Sequence, residues 1–215
     1  CETAYPLFAG STLFFRDKDQ FSKLRELILP AAIARRGHER VRIWCAACAS
    51  GQEAYSVAMM LEAMREDEGR SIAAEIVATD ISERLIEKAR SGLYSQFEVQ
   101  RGLPIRSLIA HFEKAGDLWR ISDRLRASVR FDTHNLMKHP GAMGQFDVIM
   151  LCHVLPHFEE DMRVEVLTRL ADALSPGGVI ILGCGEALPE GAAGLACQDG
   201  VISRKPAPSI GVAAA

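Results

Sequence analysis

The stretch Val41-Arg-Ile-Trp-Cys45-Ala-Ala-Cys-Ala-Ser50-Gly51-Gln-Glu53-Ala-Tyr-Ser-Val-Ala-Met59 admits few folds. A short apolar run passes into a turn of small residues and then into a helix-forming segment. A second apolar run, Ala74–Thr79, follows and ends on Asp80. Small residues at a strand end let backbone approach a ligand, and a helix N-terminus offers free N–H groups. An acid that closes the neighbouring strand suits a ribose diol. The pattern predicts a nucleoside-type cofactor lying across the carboxyl ends of a parallel sheet.

The 215 residues suffice for one α/β domain with a full core. A net charge of −3 argues against a dedicated nucleic-acid or membrane binder, because phosphate binding needs a basic surplus. The apolar runs are shorter than a bilayer span, and no basic segment leads into an apolar one at the start. A reduced, cytoplasmic compartment is expected for a chain of this size. Residue 1 is Cys, which suggests a domain taken from a longer chain. Cys45 and Cys48 have metal-pair spacing, but no second pair or His-x-x-His follows. They read as small buried thiols at a crowded turn, and no metal is expected.

Periodicity predicts a helix over Lys18–Leu29, interrupted at Pro30, and a long helix over Gln52–Glu68. Ser82 is a good N-cap for a helix reaching Arg90, with Gly92 just past its end. A short helix is predicted over Pro104–Glu113. Leu118–Ser122 and Ala127–Phe131 alternate and are expected to pair or run into the sheet. Phe146–Leu151 is a buried strand. Glu159–Leu174 is a helix stopped by Ser175-Pro-Gly-Gly178, and Val179–Leu182 is the next strand. Asp199-Gly200 predicts a closing hairpin. Strands alternating with helices give a doubly wound, mostly parallel sheet. The expected organisation is a helical lead-in over residues 1–40, a cofactor-binding domain over 41–204 and a loose Pro- and Ala-rich tail over 205–215. There is no G-x-G-x-x-G fingerprint, which counts against a dinucleotide.

Six segments occur in a telling order: Thr12-Leu-Phe14-Phe15-Arg16-Asp17, Ala46 to Ser56, Ala78-Thr-Asp80-Ile, Lys88-Ala-Arg90-Ser-Gly92-Leu-Tyr94, Asn135-Leu136 and Phe146-Asp147-Val-Ile. Together they resemble the catalytic domain of the CheR family, the chemotaxis receptor methyltransferases, from about residue 10 to residue 204. The resemblance implies a class I, Rossmann-like S-adenosylmethionine fold with a C-terminal antiparallel hairpin. It implies methyl transfer to glutamate side chains on receptor cytoplasmic helices or another signalling protein, with S-adenosylhomocysteine as product. It assigns Thr12 and Arg16 to the cofactor and active-site entrance, Glu53 to the methionine part, Asp80 to the ribose, and Asn135 and Leu136 to the adenine. Cys152 and His153 occupy the family's Arg-Asn pair beside the cofactor. His157 stands at the family's Tyr, where with Arg16 it would serve catalysis.

Several positions depart from the family pattern. Gly10 stands where the family has Asn. Besides Cys152, His153 and His157, the family's Gly-His-Ser-Glu is Gly183-Cys-Gly-Glu186 here. The link from Phe112 to Leu118 is short, which resembles family members that do not grip a receptor tail, or a chain that has lost receptor docking. The family's small N-terminal helical domain is missing. These departures support a second reading, a catalytically impaired domain that senses the cofactor or docks a protein. A small-molecule methyltransferase on the same scaffold is a third.

Plainer roles compete at each position. Arg16 also reads as a surface cap, Glu53 as a first-turn acid favoured by the helix dipole, and Asp80 as a turn residue. Phe14, Phe15 and Tyr94 read as packing. The run with Arg101, Arg106, Arg120, Arg124, Arg126 and Arg130 is either a solvated face or a surface for an acidic partner helix. Oligomeric state is not legible.

Overall fold

The computed structural model describes residues 12–69 and 72–205. Gly10 and the tail beyond residue 205 lie outside them. A seven-stranded sheet forms the centre, from β1 (Val41–Ala46), β2 (Ala74–Asp80), β6 (Val129–Thr133), β7 (Phe146–Leu151), β8 (Leu174–Leu182), β9 (Leu195–Gln198) and β10 (Val201–Arg204). Its order is β6-β2-β1-β7-β8-β10-β9. The first five run parallel, and β10 pairs antiparallel with both β8 and β9. Asp199 and Gly200 both take positive φ at the closing hairpin, as the sequence predicts.

Alternation along the central strands divides the core. Ile43, Cys45, Val148 and Met150 face one layer, whereas Trp44, Ala46, Ile149 and Leu151 face the other. The first layer is covered by α1 (Lys18–Lys23), α2 (Leu29–Arg36), α3 (Gln52–Glu68) and α4 (Glu83–Ser91). A short helix α5 (Gln96–Gln100), a further helix α6 (Ile105–His111) and α7 (Asp123–Ser128) complete that side. The second layer is covered by α8 (Glu160–Asp172), through Val166, Leu167 and Leu170. Fully burying each such aliphatic side chain contributes about 1.5–3 kcal/mol. Among the described residues, no helix is long and apolar enough to cross a membrane.

Four local expectations are revised. Pro30 does not interrupt the first helix: Leu24–Ile28 form a π-helical turn, and α2 continues with proline near its start. Proline clashes with the carbonyl four residues back, and a widened turn removes that clash. The predicted helix ending at Glu113 stops at His111, because Phe112–Ala115 form β4. Leu118–Ile121 (β5) pairs with β4 and with β3 (Leu93–Ser95) in a separate antiparallel sheet. It does not pair with β6, from which α7 separates it. Finally, Ser175-Pro-Gly-Gly178 does not lie outside the strand. It forms a bulge within β8, where the register to β7 jumps between Phe146 and Val148.

Candidate functional site: the carboxyl edge of the sheet

Five segments meet at the carboxyl ends of the parallel strands. The first follows β1, where Ala47 and Ala49 take positive φ and Gly51 sits at φ 91°. At Gly51 a Cβ would lie 2.9 Å from the Ala89 Cβ, so only glycine fits between the turn and α4. Below this turn the Tyr94 hydroxyl donates to the Ser50 carbonyl at 2.8 Å. Tyr94 is fully buried and packs edge-on against Phe14, which supports the structural reading of both.

The second segment is the end of β2. Asp80 is buried, and each of its carboxylate oxygens accepts a backbone N–H: Ala49 at 2.9 Å on Oδ2 and Ser82 at 2.9 Å on Oδ1. A carboxylate oxygen accepts more than one hydrogen bond, so each retains capacity for a diol. The Asp80 carbonyl accepts the His134 N–H at 3.0 Å. In the same corner, the His134 Nε2 is a buried ring nitrogen with no hydrogen-bond partner among the described residues. Burial holds that imidazole below its ordinary pKa, hence neutral. A buried polar atom without a partner just past β6, the strand paired with the one Asp80 closes, suits a polar ligand.

The third segment follows β6. The Asn135 side chain accepts the Met137 N–H at 2.9 Å in a local turn, and Leu136 packs into the second core layer. The fourth follows β7. Cys152 is partly buried; desolvation, then the neighbouring Glu53 carboxylate, drives its thiol well above the ordinary range, so it stays protonated. Burial is also what raises Glu53, to about 7, and the bond from Cys152 only partly offsets it. Asp17 and Glu186 push Glu53 further up, and Arg16 pulls it down. His153 adopts φ 59°, a left-handed conformation that His and Asn tolerate better than most residues.

The fifth segment follows β8. Glu186 accepts the N–H groups of His153 and Gly183, each at 2.7 Å, and of Leu155 at 3.1 Å. One carboxylate thereby ties the β7 loop to the β8 loop. The loop before α1 closes the other side. The Phe15 N–H donates to the Ser56 hydroxyl of α3 at 3.0 Å. Asp17 lies 2.7 Å from the His153 Nε2 and accepts the Cys184 N–H at 3.1 Å.

The site therefore has two acidic poles. Asp80 forms one; Glu53, with Arg16, Asp17, Cys152 and Glu186, forms the other. Burial first, then the Asp80 and Glu53 carboxylates, raises the Cys48 thiol, so Cys48 is within electrostatic reach of both poles. Of the residues singled out in the sequence, the structure gathers Arg16, Glu53, Cys152 and His153 at one pole and Asp80 at the other. Thr12 is partly buried at the head of the Arg16 loop. His157 is exposed on a 3₁₀ turn, and its ring makes no hydrogen bond among the described residues. Asp17 and Ser56 were missed as site-forming residues, and Glu186 was noted without a role. Asp147, part of a quoted motif, sits at the opposite edge, where it accepts from Arg36, the Arg42 N–H and the Ser175 hydroxyl. Three of the six arginines in the basic run are paired internally, to Glu62, Asp123 and Glu75.

A parallel sheet with a closing antiparallel strand, a small-residue turn after β1 and an acid closing β2 define a class I S-adenosylmethionine-dependent methyltransferase domain. Residues 10–199 match the family described as CheR methyltransferase, SAM binding domain. The chain belongs to this family. It is 35% identical over 201 residues to a chemotaxis protein methyltransferase 1 from Pseudomonas aeruginosa, covering 91% of this chain and 73% of that one. It is 38% identical over 181 residues to a chemotaxis protein methyltransferase from Vibrio parahaemolyticus, covering 83% of this chain and 65% of that one. The chain thus spans about two thirds to three quarters of the length of these relatives. A solved S-adenosylmethionine-dependent methyltransferase from Clostridium acetobutylicum is 14% identical, covering 77% of this chain and 50% of that one, with a TM-score of 0.43.

Proposed function

We propose that this domain transfers a methyl group to glutamate side chains on the cytoplasmic helices of a chemoreceptor. The observation that carries the reading is the pair of poles at the carboxyl edge of the sheet: a carboxylate with spare diol capacity at Asp80 and the Glu53–Arg16 cluster. S-adenosylmethionine, when bound, supplies a methyl group on a sulfonium centre. Asp80 would hold the ribose, the turn from Ala47 to Gly51 would lie along the nucleoside, and Glu53 would face the methionine ammonium. A glutamate acceptor is ionised at neutral pH, so the chain need not remove a proton. Its residues must align the acceptor oxygen and exclude water. Arg16 carries a planar fork suited to a carboxylate, either the acceptor's or the cofactor's own. A protein acceptor and a cytoplasmic location agree with each other.

The test is transfer of a tritiated methyl group to purified receptor cytoplasmic fragments. Robust transfer that Arg16→Ala abolishes is the expected result. One observation favours a second reading, a cofactor-binding module without transfer. Cys152 and His153, at the family's Arg-Asn positions, are engaged by Glu53 and Asp17 and so are not free donors. Tight S-adenosylhomocysteine binding without transfer to any receptor fragment would select that reading.

A further inference from the structure

Asp17 stands at the N-cap of α1, yet its carboxylate does not cap the helix. An aspartate there ordinarily accepts one of the helix's free N–H groups. Here the side chain reaches instead to the His153 Nε2 at 2.7 Å and the Cys184 N–H at 3.1 Å. At the far end of the first contact His153 holds a left-handed backbone, and two residues before Asp17 so does Phe15, at φ 47°. A helix without its side-chain cap and two left-handed residues, one of them the bulky Phe15, gather around one contact. Such departures persist where the surroundings enforce them, and they gather at working sites.

The contact joins three loops. Asp17 ties the Arg16 loop to the loops after β7 and β8, and Glu186 ties those two to each other. Asp17 and Glu186 also act electrostatically on Glu53. The fastening therefore lies at the Glu53 pole.

We propose that Asp17 is a positioning residue for the amino-acid end of the cofactor: through His153 and Cys184 it fastens the Arg16 loop across the ends of β7 and β8. It thereby sets the preference for ligands that carry an amino-acid group. This inference rests on the reading of the cleft as an S-adenosylmethionine site.

Titration calorimetry on the whole chain tests it with two ligands. S-adenosylhomocysteine carries the amino-acid arm; 5′-methylthioadenosine lacks it, and its affinity is read by displacement of S-adenosylhomocysteine. In Asp17→Ala, S-adenosylhomocysteine should bind at least tenfold more weakly while 5′-methylthioadenosine changes less than twofold. Asp17→Asn, which keeps an acceptor oxygen, should recover most of the loss. His153→Ala should reproduce the selective loss without touching the N-terminal loop. Equal weakening of both ligands would mark a merely structural role and overturn the proposal, as would unchanged S-adenosylhomocysteine affinity. If the unaltered chain binds neither ligand, the cofactor reading itself falls, and this inference with it.

Discussion

Ala49 donates its amide proton to Asp80 at 2.9 Å, so the acid that closes β2 also holds the turn after β1. A single carboxylate thus shapes the nucleoside pole twice, once through its spare acceptor positions and once through the backbone it orders. Asp80→Ala should remove both effects. The Ala49 and Ser82 N–H groups lose their partner, which costs about 1–3 kcal/mol for each group left buried. S-adenosylhomocysteine affinity should fall at least a hundredfold by calorimetry. Asp80→Asn, with one acceptor oxygen, should fall between the two.

Glu53 gives a pH dependence of definite sign. Its folded pKa of about 7 lies above the ordinary 4.5, so between those values the folded chain binds more protons than the unfolded one. Stability therefore falls as pH rises through that window and levels off above it. The loss is at most about 3 kcal/mol, and less because the side chain is only partly buried. Glu53→Gln should flatten the slope, as judged by urea midpoints at pH 5 and pH 8.

The same group should govern ligand affinity in the opposite direction. An ammonium beside Glu53 favours the ionised carboxylate, which grows from about one tenth at pH 6 to about nine tenths at pH 8. S-adenosylhomocysteine should bind about ninefold more tightly at pH 8, with proton release visible as a buffer-dependent heat. An affinity that is flat over this range would separate the ammonium from Glu53.

Gly51→Ala should be costly. Left-handed backbone costs a non-glycine residue roughly 1–2 kcal/mol, and overpacking against Ala89 adds about 1–3 kcal/mol. Calorimetric melting should show a drop of several degrees. Gly116, whose Cβ position is open, is the control: Gly116→Ala should show only the backbone part of the loss.

His153 should tolerate asparagine and resist valine. His153→Asn keeps a side chain suited to φ 59°, whereas a β-branched residue there is strained. His153→Val should lose about 1–2 kcal/mol more stability than His153→Asn in urea unfolding.

The parallel sheet, α3, α4 with its Ser82 cap and Gly92 stop, and the closing hairpin were all legible, because each rests on local periodicity or on a residue type with one strong preference. The small β3-β5-β4 sheet was not. Its middle strand β5 shows in the alternation of Leu118–Ser122, but β3 and β4 are three and four residues long, too short for alternation to declare them. Ser175-Pro-Gly-Gly178 misled because proline and glycine read as a stop, whereas neighbouring β7 accommodates them as a bulge. Within the site, Asp80 and Glu53 stood out by position relative to predicted elements. Asp17 did not, since an aspartate before a helix looks like an ordinary cap. Its partners lie 136 and 167 residues away, a separation that no local pattern encodes. Glu186 escaped for the same reason: its carboxylate serves backbone amides, and a backbone amide has no sequence signature.

Lys23 and Gln20 on α1 both donate to the Asp199 carbonyl at the tip of the closing hairpin, across 176 and 179 residues of chain. A ribosome must therefore deliver residue 199 before the helix that follows Arg16 finds its last anchor. The segment around Arg16 is synthesised well before the residue that anchors its helix, so a partly made chain carries the chemistry of the site without its geometry.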